Sequence, residues 1–160
     1  MDMRLVGGIP LVSVELGRGC TGDFLVDVGS SFGLTLHGSL VRSCRLFDNI
    51  LGHKQVEVNG GGVGASYVSW LSRLDRVRIG PYEWEQPIAG LSLRTSGMVG
   101  SKDYGGNIGN VVLERFKVTF DYERRKLYLE PGRRFADPER FSRIGAVFVR
   151  CPGASSPRTS

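Results

Sequence analysis

Apolar and polar residues alternate through most of this chain, and glycine interrupts the alternation at short intervals. Leu11 to Leu16 reads apolar-in, polar-out with a period of two, so a half-buried strand is predicted over residues 9–16. Gly17-Arg18-Gly19 marks a turn, and a second strand over 23–27 completes a hairpin. After Gly29 the triplet Leu34-Thr35-Leu36 predicts another strand, and Gly38-Ser39 a short helix reaching Leu46. Alternation returns at 55–59, breaks at Gly60-Gly61-Gly62-Val63-Gly64, and resumes over 67–74, which makes a long hairpin with a glycine tip. Further strands are predicted at 74–79 and 87–93, followed by a loop over 94–106 rich in Gly, Ser and Thr. A short helix over 110–116 leads into a terminal hairpin of 117–122 and 126–130, and 146–149 is a last apolar strand. Many short strands with one or two small helices predict a mainly β fold, closed or sandwiched, and exclude a βαβ architecture.

Size and charge narrow the picture modestly. At 160 residues the chain is long enough for one domain with a real core and too short for a two-lobed enzyme. Lys and Arg outnumber Asp and Glu by 21 to 16, and much of the excess lies in the last third, at Arg124, Arg125, Lys126, Arg133, Arg134, Arg140, Arg143 and Arg150. A basic stretch can bind nucleic acid, but no nucleic-acid motif or interleaved aromatic pattern accompanies it, so a solvated hairpin and tail is the favoured reading. Residues 151–160 have the composition of a disordered tail.

Cysteine and histidine add little chemistry by spacing. Cys20, Cys44 and Cys151 imply no disulfide framework, although a single bridge stays open. His37 and His53 fit no ligand pattern with them, so no metal and no cofactor is expected. The glycine cluster at 60–64 lacks the Gly-Lys-Ser/Thr ending of a phosphate loop and precedes a strand. No apolar run is long enough for a membrane helix and no signal peptide is visible, so the chain reads as cytoplasmic as written, or periplasmic if its start is truncated.

Asp27 is the residue that asks for an explanation. Phe24-Leu25-Val26 predicts a buried strand that runs directly into Asp27-Val28-Gly29-Ser30-Ser31. An ionised carboxylate beside such a strand costs several kcal/mol, roughly, unless specific partners satisfy it. A turn aspartate bonded to its own backbone is one reading; a catalytic acid is the other.

Phe-Leu-Val-Asp-Val-Gly-Ser-Ser resembles the Asp-Thr-Gly signature of retropepsin-like aspartic proteases. A second block, Gly105 to Tyr122 with Ile108-Gly109 at its turn, is similar to the other half of that family's core, and the likeness spans about residues 9–131. The chain is also similar to bacterial aspartyl-protease-like proteins that carry two such units, often followed by a PDZ domain, and it resembles the second unit. The resemblance implies a closed retropepsin-type barrel over 5–131, with a C-terminal extension over 132–150. It further implies Asp27 as catalytic acid or base, with Val28, Gly29 and Ser30 as its supporting loop. Gly61, Gly62, Val63 and Gly64 would be the tip of a flap over bound peptide, an ordinary hairpin being the alternative, and Ile108 and Gly109 would pack beneath the aspartate loop. Ser30 would bond the outer oxygen of Asp27.

Only one Asp-Gly block is present, so a second aspartate must come from a homodimer or another unit. The family's Thr, whose hydroxyl bonds across to the partner loop, is replaced here by Val28. The expected partner is a peptide or protein substrate. Two rival readings accompany the protease: a catalytically impaired unit of the same fold, used for pairing or peptide binding, and a basic β-domain for acidic partners.

Overall fold

The computed structural model describes residues 1–49, 54–58, 67–94 and 102–139. The chain order is β1 (Arg4–Val6), β2 (Ile9–Glu15), β3 (Thr21–Val26), β4 (Leu34–Leu36), α1 (Gly38–Ser43), a 3-10 turn (Leu46–Asn49), β5 (Lys54–Val58), β6 (Tyr67–Arg73), β7 (Arg76–Ile79), β8 (Tyr82–Glu85), β9 (Ile88–Leu91), β10 (Gly106–Ile108), α2 (Asn110–Leu113), β11 (Phe116–Asp121) and β12 (Lys126–Pro131). Period-two alternation survives in the burial of β2, where Leu11, Val12 and Val14 point inward while Ser13 and Glu15 are exposed. Hydrophobic burial therefore fixes which face of each strand meets the core.

Ten strands form one sheet in the order β5-β6-β9-β4-β10-β3-β2-β7-β8, with β1 added to β2, and β11–β12 form a separate hairpin. The closed barrel expected from the resemblance is not what forms. The sheet curls into an open half-barrel, because β5 and β8 end the strand order unpaired with each other, and closure needs every strand to have two partners.

Strand β10 is the chief departure from the pattern of the sequence, in which residues 94–106 are expected to be loop. Gly and Asn are poor strand formers, so local propensity gives no signal there. Neighbours on both sides hold it instead: β10 runs parallel to β3, with Ile108 opposite Val26, and antiparallel to β4, with Ile108 opposite Leu34. Gly106 is required at that place. A Cβ there would lie inside contact distance of the Thr35 carbonyl oxygen and 2.6 Å from the Phe24 ring. Strand β8 also has no clear sequence signal, being a four-residue edge with only Tyr82 and Trp84 half-buried. Helix α2 ends at Leu113, earlier than the expected 116, since Phe116 already pairs with Pro131 in the terminal hairpin.

Two long-range ties close the unit. A Cys20–Cys44 disulfide joins the start of β3 to the end of α1, with Cα atoms 5.6 Å apart. The segment after β12 folds back on the sheet: Phe135 packs on Tyr82, Trp84 and Phe116. Buried Arg115 donates from Nη1 to the carbonyls of Phe135 and Asp137. The Ile88 N–H donates to Glu139 Oε2 at 2.6 Å. The strand expected at 146–149 and the tail at 151–160 lie outside the described residues.

Candidate active site around Asp27

Parallel pairing of β3 and β10 sends both strands out of the sheet on the same side. Asp27 follows β3 directly, and its N–H donates to the Ile108 carbonyl at 2.9 Å, extending the ladder by one residue. Residues 27–33 then loop around the start of α2. The Gly109 N–H donates to Gly33 O at 2.7 Å, Asn110 N–H to Ser30 O at 2.8 Å and Val111 N–H to Phe32 O at 3.2 Å. The Asn110 side chain adds a bond from Nδ2 to the Val28 carbonyl at 2.7 Å. Gly109 allows this closeness. A side chain there would drive a carbon into the Phe32 carbonyl and to 2.9 Å from Ser30 Oγ.

The carboxylate of Asp27 is half-buried and accepts on both oxygens. Oδ1 takes the Gly29 N–H at 3.0 Å, the local turn bond, and Oδ2 takes Asn107 Nδ2 at 3.3 Å. The hydrogen bond found for Ser30 Oγ is with the Phe32 N–H at 3.3 Å, so Ser30 is not the partner of the outer aspartate oxygen. Gly29 faces open space apart from Asp27 Oδ1, which a Cβ would approach to 3.3 Å. Val28 projects its apolar side chain outward and is 62% exposed. Ile108 is fully buried beneath the loop.

Three residues near Asp27 were not picked out by pattern: Asn107, His37 and Tyr104. His37 follows β4, is 0% exposed, and donates its backbone N–H to Gly105 O at 2.8 Å, which lays it against the entry to β10. Its ring lies 5.1 Å from that of Tyr104. Burial lowers the His37 imidazole to about 4, the neighbouring Asn107 side chain acting the other way. Tyr104 is raised, first by its own burial and then by the charges of Asp103 and Asp27. The only sequence signal for this cluster is an asparagine one residue before the buried Ile108.

Gly61, Gly62, Val63 and Gly64, the expected flap tip, lie outside the described residues, between β5 and β6. Beside the aspartate loop a hollow of about 60 Å³ is lined by Phe32, Leu34, Ser69, Leu71 and Ile88. A larger one, about 390 Å³, lies between β8 and the terminal hairpin and shares no lining residue with the loop. Among the described residues no cluster of three or more His, Cys, Asp or Glu is placed to hold a metal, and no helix is long and apolar enough to cross a membrane.

No protein-family model matches the chain, and no curated protein matches it. Among solved structures, the chain is similar to a retropepsin-like aspartic protease from Rickettsia conorii at 18% identity and a TM-score of 0.51, over 75% of this chain and 82% of that one. The likeness is one of fold.

Proposed function

We propose that this chain is a retropepsin-like aspartic endopeptidase unit that works when paired, with a second aspartate brought opposite Asp27 by another copy or another unit. What carries the reading is the Asp27 loop. A carboxylate at the end of a buried strand is held on both oxygens by hydrogen-bond donors, in a loop pinned by the block after Ile108. A fold likeness to a protein of that class supports it.

Two carboxylates at short range share one proton, because both cannot ionise cheaply, and the pair titrates as a unit. The ionised member takes a proton from a water held between them, and that water attacks the peptide carbonyl. The protonated member supports the developing oxyanion and later hands its proton to the leaving amine. The hollow beside Phe32 and Ile88 would take a small apolar side chain of the substrate.

Val28 favours a second reading, a unit of this fold that pairs or binds peptide without turnover. A valine has no hydroxyl to offer across a pair of loops, and here it stands exposed next to Asp27. Cleavage of a mixed peptide substrate at mildly acid pH decides between the two. Turnover that a statine-type transition-state mimic blocks and Asp27→Asn abolishes supports the endopeptidase. Retained peptide binding with no turnover, in protein verified to be paired, leaves the second reading.

A further inference from the structure

Asn107 presents its NH2 edge to Asp27 Oδ2. An ionised Asp27 itself favours that edge, since an amide turned over would set its oxygen against the carboxylate, acceptor against acceptor. A protonated Asp27 can donate to the amide oxygen and gives no such preference, so an orientation that holds in both states must come from what the other end of the amide meets.

That end is buried. Asn107 Oδ1 has no hydrogen-bond partner among the described residues, and neither do the two ring nitrogens of His37, which is itself wholly buried. A buried acceptor and a buried donor left unmade each carry the full cost of desolvation, and a single bond between the two relieves both. A neutral imidazole has one N–H to give and Asn107 Oδ1 can receive it. The low titration of His37 supports a neutral ring at ordinary pH, and Asn107 lies close enough to act on that ring. Tyr104 packs against the imidazole.

We propose that His37 is a positioning residue for Asp27: its ring N–H binds Asn107 Oδ1 and so fixes the Asn107 amide with its NH2 edge on the aspartate's Oδ2. Histidine here touches neither substrate nor the reacting atoms. It acts at one remove, by making the amide a donor toward the carboxylate at all times. The catalytic consequence rests on the endopeptidase reading above, whereas the relay itself does not.

Nuclear magnetic resonance of the full chain labelled with nitrogen-15 tests the relay directly. At neutral pH, His37 is expected as a single neutral tautomer with one ring N–H protected from solvent exchange. The two Asn107 amide protons should be distinct and slow to exchange. In His37→Phe these protons should shift and exchange faster with solvent, and in His37→Gln, which retains an N–H donor, slow exchange should return. If the chain cleaves peptide, His37→Phe should lower kcat about tenfold with KM little changed, and His37→Gln should recover most of it. Unchanged Asn107 amide signals in His37→Phe, or a mixture of His37 tautomers in the parent, overturn the proposal. Should His37→Phe not fold, Asn107→Leu decides: loss of protection at the His37 ring N–H supports the relay, and continued protection refutes it. A fixed Asn107 amide in a chain without turnover leaves the relay standing and removes only the protease reading.

Discussion

Asn107 Nδ2 lies 3.3 Å from Asp27 Oδ2 across a separation of 80 residues. Register explains the meeting: Asn107 stands opposite Leu25 on the parallel neighbour strand, and Asp27 extends β3 just beyond it. The carboxylate thus has one partner from its own turn and one from a strand that closes late in the chain.

Val28→Thr restores a hydroxyl at a position that is now apolar and exposed. A hydrogen bond between two loops contributes about 0.5–1.5 kcal/mol, and a symmetric pair carries it twice. Pairing, read by velocity or equilibrium sedimentation, is therefore expected to tighten by about tenfold, and peptide cleavage to rise with it. Weaker association in Val28→Thr would count against pairing through this loop.

Gly109→Ala and Gly29→Ala separate packing from site geometry. At position 109 a methyl group meets the Phe32 carbonyl, a backbone atom that cannot step aside, so a loss of about 1–3 kcal/mol in urea unfolding is expected. At position 29 the methyl meets only Asp27 Oδ1 at 3.3 Å. Stability should change by less than about 1 kcal/mol there, while any activity falls because the carboxylate is pushed.

Burial of His37 makes stability depend on pH. Its folded value of about 4 lies below the ordinary 6.5, so the unfolded chain binds the extra proton first. Stability from the neutral ring is fully present above about pH 6.5 and is lost as pH falls toward about 4. The whole effect amounts to about 3 kcal/mol. Unfolding followed across that range should show the slope in the parent and a shallower one in His37→Gln. The facing groups are Asn107 and Tyr104, with Asp27 beyond Asn107.

The Cys20–Cys44 bridge closes a loop with a sequence separation of 24. Chain-entropy arguments put its contribution at about 3 kcal/mol. Reduction with dithiothreitol should lower Tm, and the double variant Cys20→Ala, Cys44→Ala should start at the lowered Tm and not respond to the reductant. Disulfides persist in oxidising compartments. Finding the pair reduced in protein isolated from its native cell would speak for the cytosol, and finding it bridged would speak against.

Local pattern alone determined a good deal. Alternation placed β2, β4, β6 and the terminal hairpin to within a residue or two, since burial of one face imposes a period of two whatever the rest of the chain does. An acid between a buried strand and a glycine also drew notice to Asp27 from residues adjacent in sequence. Tertiary structure decided what those residues meet. Strand β10 exists through its two neighbours, Asn107 reaches Asp27 through their register, and Cys20 finds Cys44 because α1 lies against the start of β3. The open sheet was decided there too. Propensity and periodicity act over a few residues, whereas pairing partners, closure and a buried polar line depend on which distant segments the core brings together.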